Sequence, residues 1–310
     1  MKTSSQSSRR RKPTVAVIGA GRLGQAFALA LKSSGYRILA LVARHRQKAE
    51  KAAALLKAKP KPRALAANQL AELPETDLVL IATPDDVIAA TAQQLSNLRR
   101  GDGRCTVLHT SGALSSEVLA PLAEKGFHTG SLHPLVSISE PVSGAAALRG
   151  AFFCIEGTRK AKSLAQTIVR DLGGSSFTIK PDSKALYHAA AVMASPHLTA
   201  LVDIATEMLS ACGISKRKAQ QVLLPLLEST VNNLQTSNPQ QALTGTFARG
   251  DVATVRRHLQ ALSRPELAEA LEVYRLLGLH SLQLAAKNGL DPKLVAKIEE
   301  SLRAHSPLKS

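Results

Sequence analysis

The sequence predicts an α/β protein in which a doubly wound parallel sheet is followed by an all-helical C-terminal domain. Two observations support this fold class. From Pro13 to about Lys180, short runs rich in β-branched residues alternate with alanine-rich helical stretches, which is the pattern of successive βαβ units. After Lys180 the strand signals stop, and the remaining periodic segments all have helical spacing.

Strands and connecting helices are predicted as follows. The strands before residue 180 are the apolar runs at 15–18, 38–42, 78–82, 106–109, 152–155 and 177–179. The first connecting helix is predicted because Leu23, Phe27 and Leu31 share one face at helical spacing. Beyond residue 180, helices are predicted at 183–211, 215–234, 251–262, 265–287 and 292–304.

The composition bounds the possible functions. The 310 residues are 45% hydrophobic and 20% charged, as in a typical globular protein. Only 3% are aromatic and none is tryptophan, so a nucleic-acid binder that stacks bases on aromatic rings is disfavoured. The cysteines are widely spaced and odd in number, which predicts neither a disulfide framework nor a metal site. We find no run apolar enough for an export signal or a membrane span and therefore expect a cytoplasmic protein without a membrane partner.

The net charge of +17, from 40 basic and 23 acidic side chains, requires that a polyanionic partner be considered. Its distribution argues for solvated segments instead. Four basic residues crowd a proline-broken stretch at 57–63. Nucleic-acid binding is therefore disfavoured but stays open, and it would require salt-dependent affinity that survives removal of residues 1–12. Five other basic residues lie in the serine-rich leader, at Lys2, Arg9, Arg10, Arg11 and Lys12.

A glycine motif lies between the first predicted strand and the first predicted helix. In this setting Gly19 permits a tight turn, Gly21 lets the backbone approach a pyrophosphate, and Gly24 lets the helix pack closely on the strand. The free N–H groups of the first helical turn would face the anion. The motif predicts a Rossmann dinucleotide-binding domain, with cofactor-binding residues Gly19, Ala20, Gly21, Arg22, Leu23 and Gly24.

The end of the second predicted strand indicates which nucleotide is preferred. NAD enzymes place an acidic residue here to bind the ribose 2′-hydroxyl. This chain has Arg44 and Arg46 and no acid before Glu50. Because two arginines can pair with a 2′-phosphate that a carboxylate would repel, NADP is favoured over NAD. Alternatively, the two arginines extend into water at the start of a helix.

Polar residues after later strands are further candidates. Thr83 and Pro84 follow the third predicted strand, and Thr110 and Ser111 follow the fourth. Ligands of open α/β sheets bind beyond the carboxyl ends of the strands, so these residues are predicted to contact the cofactor. His133, which we place after another strand, could donate a proton to a substrate carbonyl or imine. The alternative for His133 is a hydrogen bond to a neighbouring loop.

These patterns divide the chain into three parts. We expect a disordered basic leader at 1–12 and a Rossmann domain at 13–150 whose strands could continue to 180. The C-terminal domain is expected at 151–305 and is mainly helical from 181.

Six motifs are found together in one known family. They are the segments 19–24, 81–86, 109–112, 131–135, 187–195 and 243–251. Through them, from Pro13 to about Leu284, the chain resembles bacterial Rossmann-like oxidoreductases that carry a C-terminal helical domain of unknown function. This family is similar in plan to pyrroline-5-carboxylate reductase, the F420-dependent NADP oxidoreductases and the β-hydroxyacid dehydrogenases. The resemblance implies a nicotinamide-binding first domain and a homodimer formed through the helical domain.

Two positions depart from that family. Ser195 is followed by Pro196 where relatives often have asparagine, and Thr246 stands where they often have proline. Pro196 would kink its helix because it lacks a backbone donor. The missing asparagine weakens any catalytic scheme that uses a lysine together with an asparagine.

Lys184, Tyr187 and His188 lie within about one helical turn and are expected on one face. Lys184 resembles the catalytic lysine that the β-hydroxyacid dehydrogenases have at this place in the chain. A buried lysine with a lowered pKa could protonate the oxygen or nitrogen formed on hydride arrival. The alternative is a surface lysine beside a packed Tyr-His pair. His188 is the second candidate acid, and Tyr187 is predicted to line the substrate site.

Arg249 and Asp251 form another polar cluster. Asp251 is predicted to be an N-cap, with Thr254 at the third helical position. Arg249 could bind a substrate carboxylate through two parallel hydrogen bonds.

We therefore predict an NADP-dependent oxidoreductase that transfers hydride between the nicotinamide and a small carbonyl or imine substrate. Its proton donor would be Lys184, His188 or His133, and no metal is expected. Two alternatives stay open. One is a non-catalytic NADP(H)-binding regulatory protein, and the other is a nucleic-acid-binding protein.

Overall fold

An eight-stranded sheet lies at the centre of the first part of the structure, a computed structural model that describes residues 11–305. The strands in chain order are β1 (Thr14–Ile18), β2 (Arg37–Ala43), β3 (Arg63–Ala66), β4 (Leu78–Ile81), β5 (Thr106–His109), β6 (His128–Pro134), β7 (Phe152–Gly157) and β8 (Ser175–Phe177). Their order in the sheet is β3-β2-β1-β4-β5-β6-β7-β8. All neighbouring strands run parallel except β6 and β7.

Helices cover both faces of this sheet. Adjacent residues of β1 point to opposite faces of the sheet. Val17 packs in one core cluster with Phe27, whereas Ile18 packs in another with Ile88. Burial of such side chains stabilises the fold by about 1.5–3 kcal/mol each. The predicted doubly wound sheet is confirmed. The helices are α1 (Arg22–Ser33), α2 (Arg46–Leu55), α3 (Asp85–Leu98), α4 (Ala120–Ala123), α5 (Pro141–Ala147), α6 (Arg159–Asp171) and α7 (Lys184–Ala194).

Three strands, β1, β4 and β5, end side by side at the carboxyl-terminal side of the sheet. Ile18 pairs with Ile81, Ile81 with His109, and His109 with Ser131. The residues that follow β1, β4 and β5 therefore lie side by side at this edge, which is where ligands of open α/β sheets bind.

Two strands were not predicted. β3 begins at Arg63, in the proline-broken stretch that we interpreted as a loop, and it has only four residues. β6 contains His133, which was placed after a strand but lies within one. β8 is also shifted, ending at Phe177 where we expected a strand to begin.

A second compact unit begins at Pro196 and is helical throughout its described part, as predicted. Its core is formed by Val255, Leu259, Leu282, Ile298 and Leu302. The helices are α8 (Pro196–Ala211), α9 (Lys216–Thr236), α10 (Pro239–Ala242), α11 (Gly245–Ala248), α12 (Val252–Leu262), α13 (Ala268–Lys287) and α14 (Pro292–Ala304).

The division into compact units falls between Ser195 and Pro196, whereas we placed the domain boundary near residue 150. The sheet continues through β7 and β8, in keeping with strands that reach toward 180. Of the predicted leader, residues 1–10 lie outside the described residues. Lys12, the last residue of the predicted leader, forms an ion pair with Asp171, with 2.9 Å between Nζ and Oδ2, and the disordered leader stays a prediction.

The helix predicted at 183–211 is interrupted. α7 ends at Ala194 and α8 starts at Pro196, and Ser195 between them has φ −129° and ψ −75°. This agrees with the kink expected from Pro196. By length and composition alone, the stretch Pro181–Ala211 could cross a membrane, so our expectation that no segment would meet this criterion is wrong.

Candidate functional site

The glycine turn between β1 and α1 borders a cavity of about 600 Å³, which we call the cradle cavity. Of the predicted cofactor-binding residues, Gly19, Ala20, Gly21, Thr83 and Pro84 line it. α1 begins immediately after Gly21, and no side chain caps its first turn. The amide groups of that turn are therefore available to an anion.

The three glycines have separate steric roles. Gly19 has φ +103°, and a Cβ there would lie 2.5 Å from the carbonyl carbon of Ala82. A Cβ on Gly24 would collide with the carbonyl oxygen of Gly19. At Gly21, by contrast, a Cβ would meet nothing within 4 Å. Gly19 thus lets the turn pack closely on the Ala82 backbone, and Gly24 lets α1 pack closely on the turn. Gly21 faces open space in the cavity.

Basic residues lie on the side of the cradle cavity near β2. Arg44, His45 and Lys48 line the cavity. Arg46 does not, because its Nε forms an ion pair with Glu50 Oε1 at 3.1 Å on the exposed side of α2. The structure therefore places Arg44 at the predicted site, directs Arg46 away from it and adds Lys48, which the sequence analysis missed.

A second cavity of about 360 Å³, the histidine cavity, lies next to the carboxyl ends of β4 and β5. Thr83 lines both cavities. Its Oγ1 is buried and has no hydrogen-bond partner among the described residues. A buried hydroxyl without a partner is uncommon and indicates a group that a ligand could satisfy. The histidine cavity is lined by Leu23, Thr83, Asp85, Thr110, Ser111, Gly112, His133, Pro134, Val136, Ile138 and His188.

His109 and Ser111 hold the loop after β5. His109 is fully buried; its Nδ1 accepts a hydrogen bond from the Ser111 amide at 3.2 Å, and its Nε2 donates to the Ser115 carbonyl at 3.2 Å. Ser111 Oγ donates to Asp85 Oδ2 at 2.7 Å and accepts from the amides of Ala113 and Leu114. Ser111 and Asp85 thus line the histidine cavity, and His109 holds the loop after β5 without lining the cavity.

Burial, assisted by the nearby charge of Lys184, lowers the pKa of His109 from 6.5 to about 3. Unfolding would then be accompanied by proton uptake below pH 6.5, so stability should fall as the pH falls through that value. We expect His109 to account for about 2 kcal/mol of lost unfolding free energy between pH 7 and pH 5. Urea unfolding at both pH values measures this loss.

The control for that experiment is a pair of variants. His109→Gln should lose the His109 part of the pH dependence, whereas His280→Gln, at an exposed position of α13, should keep it. An unchanged difference between pH 7 and pH 5 in His109→Gln would contradict a buried neutral imidazole.

His133 and His188 line the histidine cavity, whereas Tyr187, which we predicted to line the substrate site, contacts His133 without lining the cavity. His133 Nδ1 and the Tyr187 hydroxyl are 2.7 Å apart, and the ring centroids of His133 and His188 are 5.8 Å apart. The Nε2 side of His133 lies toward Gly112, where an added Cβ would come within 2.7 Å of it. Burial, followed by the charges of Lys184 and His188, lowers the pKa of His133 to about 4. The imidazole is therefore neutral near pH 7.

Lys184 lies behind this group. Its side chain is only 1% exposed and does not line the histidine cavity. Its Nζ donates to the Ser111 carbonyl at 3.0 Å and to Ser131 Oγ at 3.3 Å. The alternative of a surface lysine is therefore wrong. Burial lowers the pKa of Lys184, and the nearby Cys154 and acidic groups oppose that effect.

The remaining predicted residues are placed as follows. Arg22 is exposed at the start of α1 and lines neither cavity. Arg249 is exposed at the end of α11 in the second unit, so its role in binding a carboxylate stays a prediction. Asp251 is the N-cap of α12, accepting from the Thr254 amide at 3.0 Å, as predicted. Within residues 11–305, no three His, Cys, Asp or Glu side chains form a group that could hold a metal ion.

Two family descriptions match the chain. Residues 1–134 match the Rossmann-like domain, and residues 151–281 match the Domain of unknown function (DUF2520). A search of curated protein sequences gives no significant match.

Several solved structures share the fold. A protein of Bacteroides fragilis, provisionally named as an NADP oxidoreductase, has a TM-score of 0.70 at 22% identity over 88% of this chain and 99% of its own. The reductive aminase of Aspergillus terreus, in complex with NADPH and ethyl levulinate, has a TM-score of 0.61 at 18% identity over 93% and 99%. The 1-pyrroline-5-carboxylate reductase of Streptococcus pyogenes has a TM-score of 0.58 at 15% identity over 94% and 98%. The expected similarity to the plan of pyrroline-5-carboxylate reductase is thus confirmed for the fold.

Proposed function

Since the chain is a Rossmann-like protein that carries a C-terminal DUF2520 domain, we propose that it is a cytoplasmic NADP-dependent oxidoreductase. Its substrate would be a small carbonyl or imine compound, which exchanges hydride with the nicotinamide. The observation that carries this proposal is the position of Thr83. Thr83 lines both the cradle cavity and the histidine cavity and its hydroxyl has no partner among the described residues, so a ligand that spans both cavities would pass this residue.

The residues present fit a dinucleotide. The open space at Gly21 and the uncapped start of α1 suit a pyrophosphate. Arg44 and Lys48 suit a 2′-phosphate, and Glu50, the first acid after β2, is engaged by Arg46. The titles of two similar structures, which name NADP and NADPH, support the same choice.

A nicotinamide coenzyme bound at these residues would supply or accept the hydride. His133 is proposed to handle the proton. His133 would act in the tautomer in which the Tyr187 hydroxyl donates to Nδ1 and the neutral imidazole carries its proton on Nε2, the nitrogen on the side of Gly112 and the cavity. A neutral donor of this kind can hydrogen-bond a carbonyl oxygen and release its proton as charge develops there. Tyr187 would then orient His133, and His188 is the second proton donor.

The charge of the residues that line the histidine cavity limits the class of substrate that it can bind. The side chains that line it include the carboxylate of Asp85 and no lysine or arginine. A small anion would therefore find no opposite charge among these residues, whereas a neutral carbonyl compound or a cationic imine would not be repelled. Lys184 affects this cavity through His133 and the Ser111 carbonyl rather than by lining it.

Fluorescence titration with NADPH and NADH tests the cofactor proposal, and the absence of tryptophan leaves the nicotinamide signal clear. Replacing Arg44 with Asp, or Lys48 with Glu, should weaken NADPH binding roughly 10- to 100-fold, because each removes a charge-assisted hydrogen bond. NADH binding should change little. The matched control is Arg46→Asp, because Arg46 is paired with Glu50 outside the cavity.

The possible results separate the alternatives. Equal loss of NADPH affinity in Arg46→Asp would contradict the assignment of the 2′-phosphate to Arg44 and Lys48. If neither nucleotide binds, the oxidoreductase proposal fails. Tight NADPH binding without turnover on a panel of carbonyl and imine compounds would instead favour the non-catalytic regulatory protein.

A homodimer is proposed from an uncovered helix in the second unit. α9 spans 21 residues, of which only Ala219 is buried. Its exposed apolar side chains include Val222, Leu224 and Leu226, the last 63% exposed. An apolar surface of this kind on a soluble helix usually marks an interface. We expect a dimer by sedimentation velocity and a shift toward monomer in Leu226→Asp, while a wild-type monomer would contradict this proposal.

A further inference from the structure

A third cavity, of about 400 Å³, lies at the amino-terminal ends of the strands, on the opposite side of the sheet from the glycine turn. Thr76 and Cys105 of its wall precede β4 and β5, whereas Thr83 and Thr110 follow these strands at the other edge. No residue that lines it lines the cradle cavity or the histidine cavity. We call it the amino-end cavity. Its apolar wall consists of Leu73, Val79, Leu95, Val107, Leu122 and Phe127.

One polar group of this cavity lacks a partner. Thr76 Oγ1 is buried and makes no hydrogen bond to any described residue. A lone buried hydroxyl costs free energy unless water or a ligand satisfies it. Thr76 lies in the polar part of the wall, near Arg99, whose Nη1 reaches the Pro74 carbonyl, so a polar ligand group at this end of the cavity could satisfy the hydroxyl.

Two arginines, Arg99 and Arg100, line the same cavity. Within residues 11–305, neither Arg99 nor Arg100 has a carboxylate oxygen within 4 Å. Arg99 Nη1 only reaches the Pro74 carbonyl, at 3.4 Å. The guanidinium groups therefore keep donors free for an anion, which arginine binds through two parallel hydrogen bonds.

The acidic residues of the cavity limit the charge that it can accept. Asp102 Oδ1 accepts hydrogen bonds from the amides of Arg104 and Cys105, so this carboxylate is engaged in its own turn. Glu75 is exposed. With two acids among its lining residues, the cavity suits a ligand with one negative charge better than a polyanion.

We propose that the amino-end cavity binds a small aliphatic carboxylate, with its chain against the apolar wall and its carboxylate group held by Arg99 and the Thr76 hydroxyl. The cavity volume is within the range of sites for small molecules. The proposal is independent of the oxidoreductase function, because it uses none of the residues of the other two cavities.

Octanoate is the probe, and isothermal titration calorimetry on the full chain measures its affinity. We expect Arg99→Met to weaken binding roughly tenfold through loss of a charge-assisted hydrogen bond. Thr76→Val should weaken binding about threefold or more through loss of the hydroxyl. Arg159→Met, which removes an exposed arginine at the start of α6, is the matched control and should bind as wild type does. Octan-1-ol, which lacks the charge, should bind more weakly than octanoate.

Cys105 provides a readout of where octanoate binds. Cys105 lines the cavity and is partly buried, whereas Cys212 is exposed in the second unit. Burial raises the pKa of the Cys105 thiol to about 12, so its alkylation is slow and sensitive to access. Octanoate should slow iodoacetamide labelling of Cys105 and leave Cys212 unchanged, as measured by mass spectrometry of the peptides.

Four results would overturn the proposal, and three of them concern octanoate alone. They are no octanoate binding to the wild-type chain, binding that is unaffected by Arg99→Met, and labelling of Cys105 that octanoate does not slow. Competition between octanoate and NADPH would also overturn it, because the ligand would then occupy the cradle cavity. Unfolding curves of the Arg99 and Thr76 variants, compared with wild type, show that any lost binding is not lost folding.

Discussion

Leucine at position 21 is expected to abolish NADPH binding and to leave the protein folded. Gly21 has φ −78° and ψ −170°, a conformation open to any residue, and a Cβ there meets nothing within 4 Å. The leucine side chain would instead occupy the cradle cavity, where the pyrophosphate is proposed to bind. We expect NADPH affinity to fall roughly 100-fold or more, because overpacking of a binding site costs several kcal/mol. The unfolding free energy should change by about 1 kcal/mol or less.

Gly21→Ala and Gly19→Ala are the informative controls. Alanine at 21 should weaken NADPH binding less than leucine does, because the loss follows side-chain size. Alanine at 19 should destabilise the fold, because the residue has φ +103° and its Cβ would lie 2.5 Å from the Ala82 backbone. Titration with NADPH and urea unfolding separate the two effects. Wild-type NADPH affinity in Gly21→Leu would show that the cradle cavity does not bind the cofactor.

The glycine turn could be predicted from the sequence because its requirements are local. Gly24 must lie against the Gly19 carbonyl, five residues earlier, and both follow an apolar strand that the sequence shows directly. The helical second unit was predictable for the same reason, since capping by Asp251 and helical spacing are properties of neighbouring residues. Such features depend little on the rest of the fold.

β6 could not be found in this way. His128–Pro134 contains polar residues where a buried strand usually has apolar ones, and Ser131 is fully buried. What makes this segment a strand is its pairing with β5 and β7, which no local pattern contains. Tertiary context therefore decided the outcome over propensity.

The roles of the arginines after β2 depended on where α2 begins. Residues two apart on a helix point in directions about 200° apart. Arg46 and Lys48 therefore cannot both face the cradle cavity, and the structure places Lys48 there and Arg46 on the side of Glu50. Without the starting residue of the helix, the sequence could not show which of the two would face the cofactor.

The burial of Lys184 depends on parts of the chain that are far away in sequence. Its partners Ser111 and Ser131 lie 73 and 53 residues away in the chain, so spacing could suggest a shared face with His188 but could not establish burial.

The second large effect is expected on replacing Lys184. Lys184→Ala should destabilise the protein by about 3 kcal/mol or more, because it leaves a cavity and removes the donor to the Ser111 carbonyl. Urea unfolding at pH 7 measures this loss.

Lys184→Met separates a positioning role from a purely structural one. Methionine keeps most of the buried volume and removes the charge, so it should destabilise less than alanine. Because burial and then the Lys184 charge lower the pKa of His133 to about 4, removing the charge should raise that pKa toward its usual 6.5. Proton uptake by His133 on unfolding would then decrease, and the loss of stability between pH 7 and pH 5 should become smaller.

NMR titration of the His133 ring measures this shift directly in Lys184→Met, with Lys180→Met as a matched control at an exposed lysine just before α7. The control should leave the His133 pKa unchanged. An unchanged His133 pKa in Lys184→Met as well would mean that Lys184 only fills buried space and anchors the loop after β5 by its hydrogen bond to the Ser111 carbonyl. A higher pKa, with the fold retained, would mean that the buried ammonium adds to burial in keeping the proposed proton donor neutral, which explains how a lysine outside the cavity can still affect chemistry inside it.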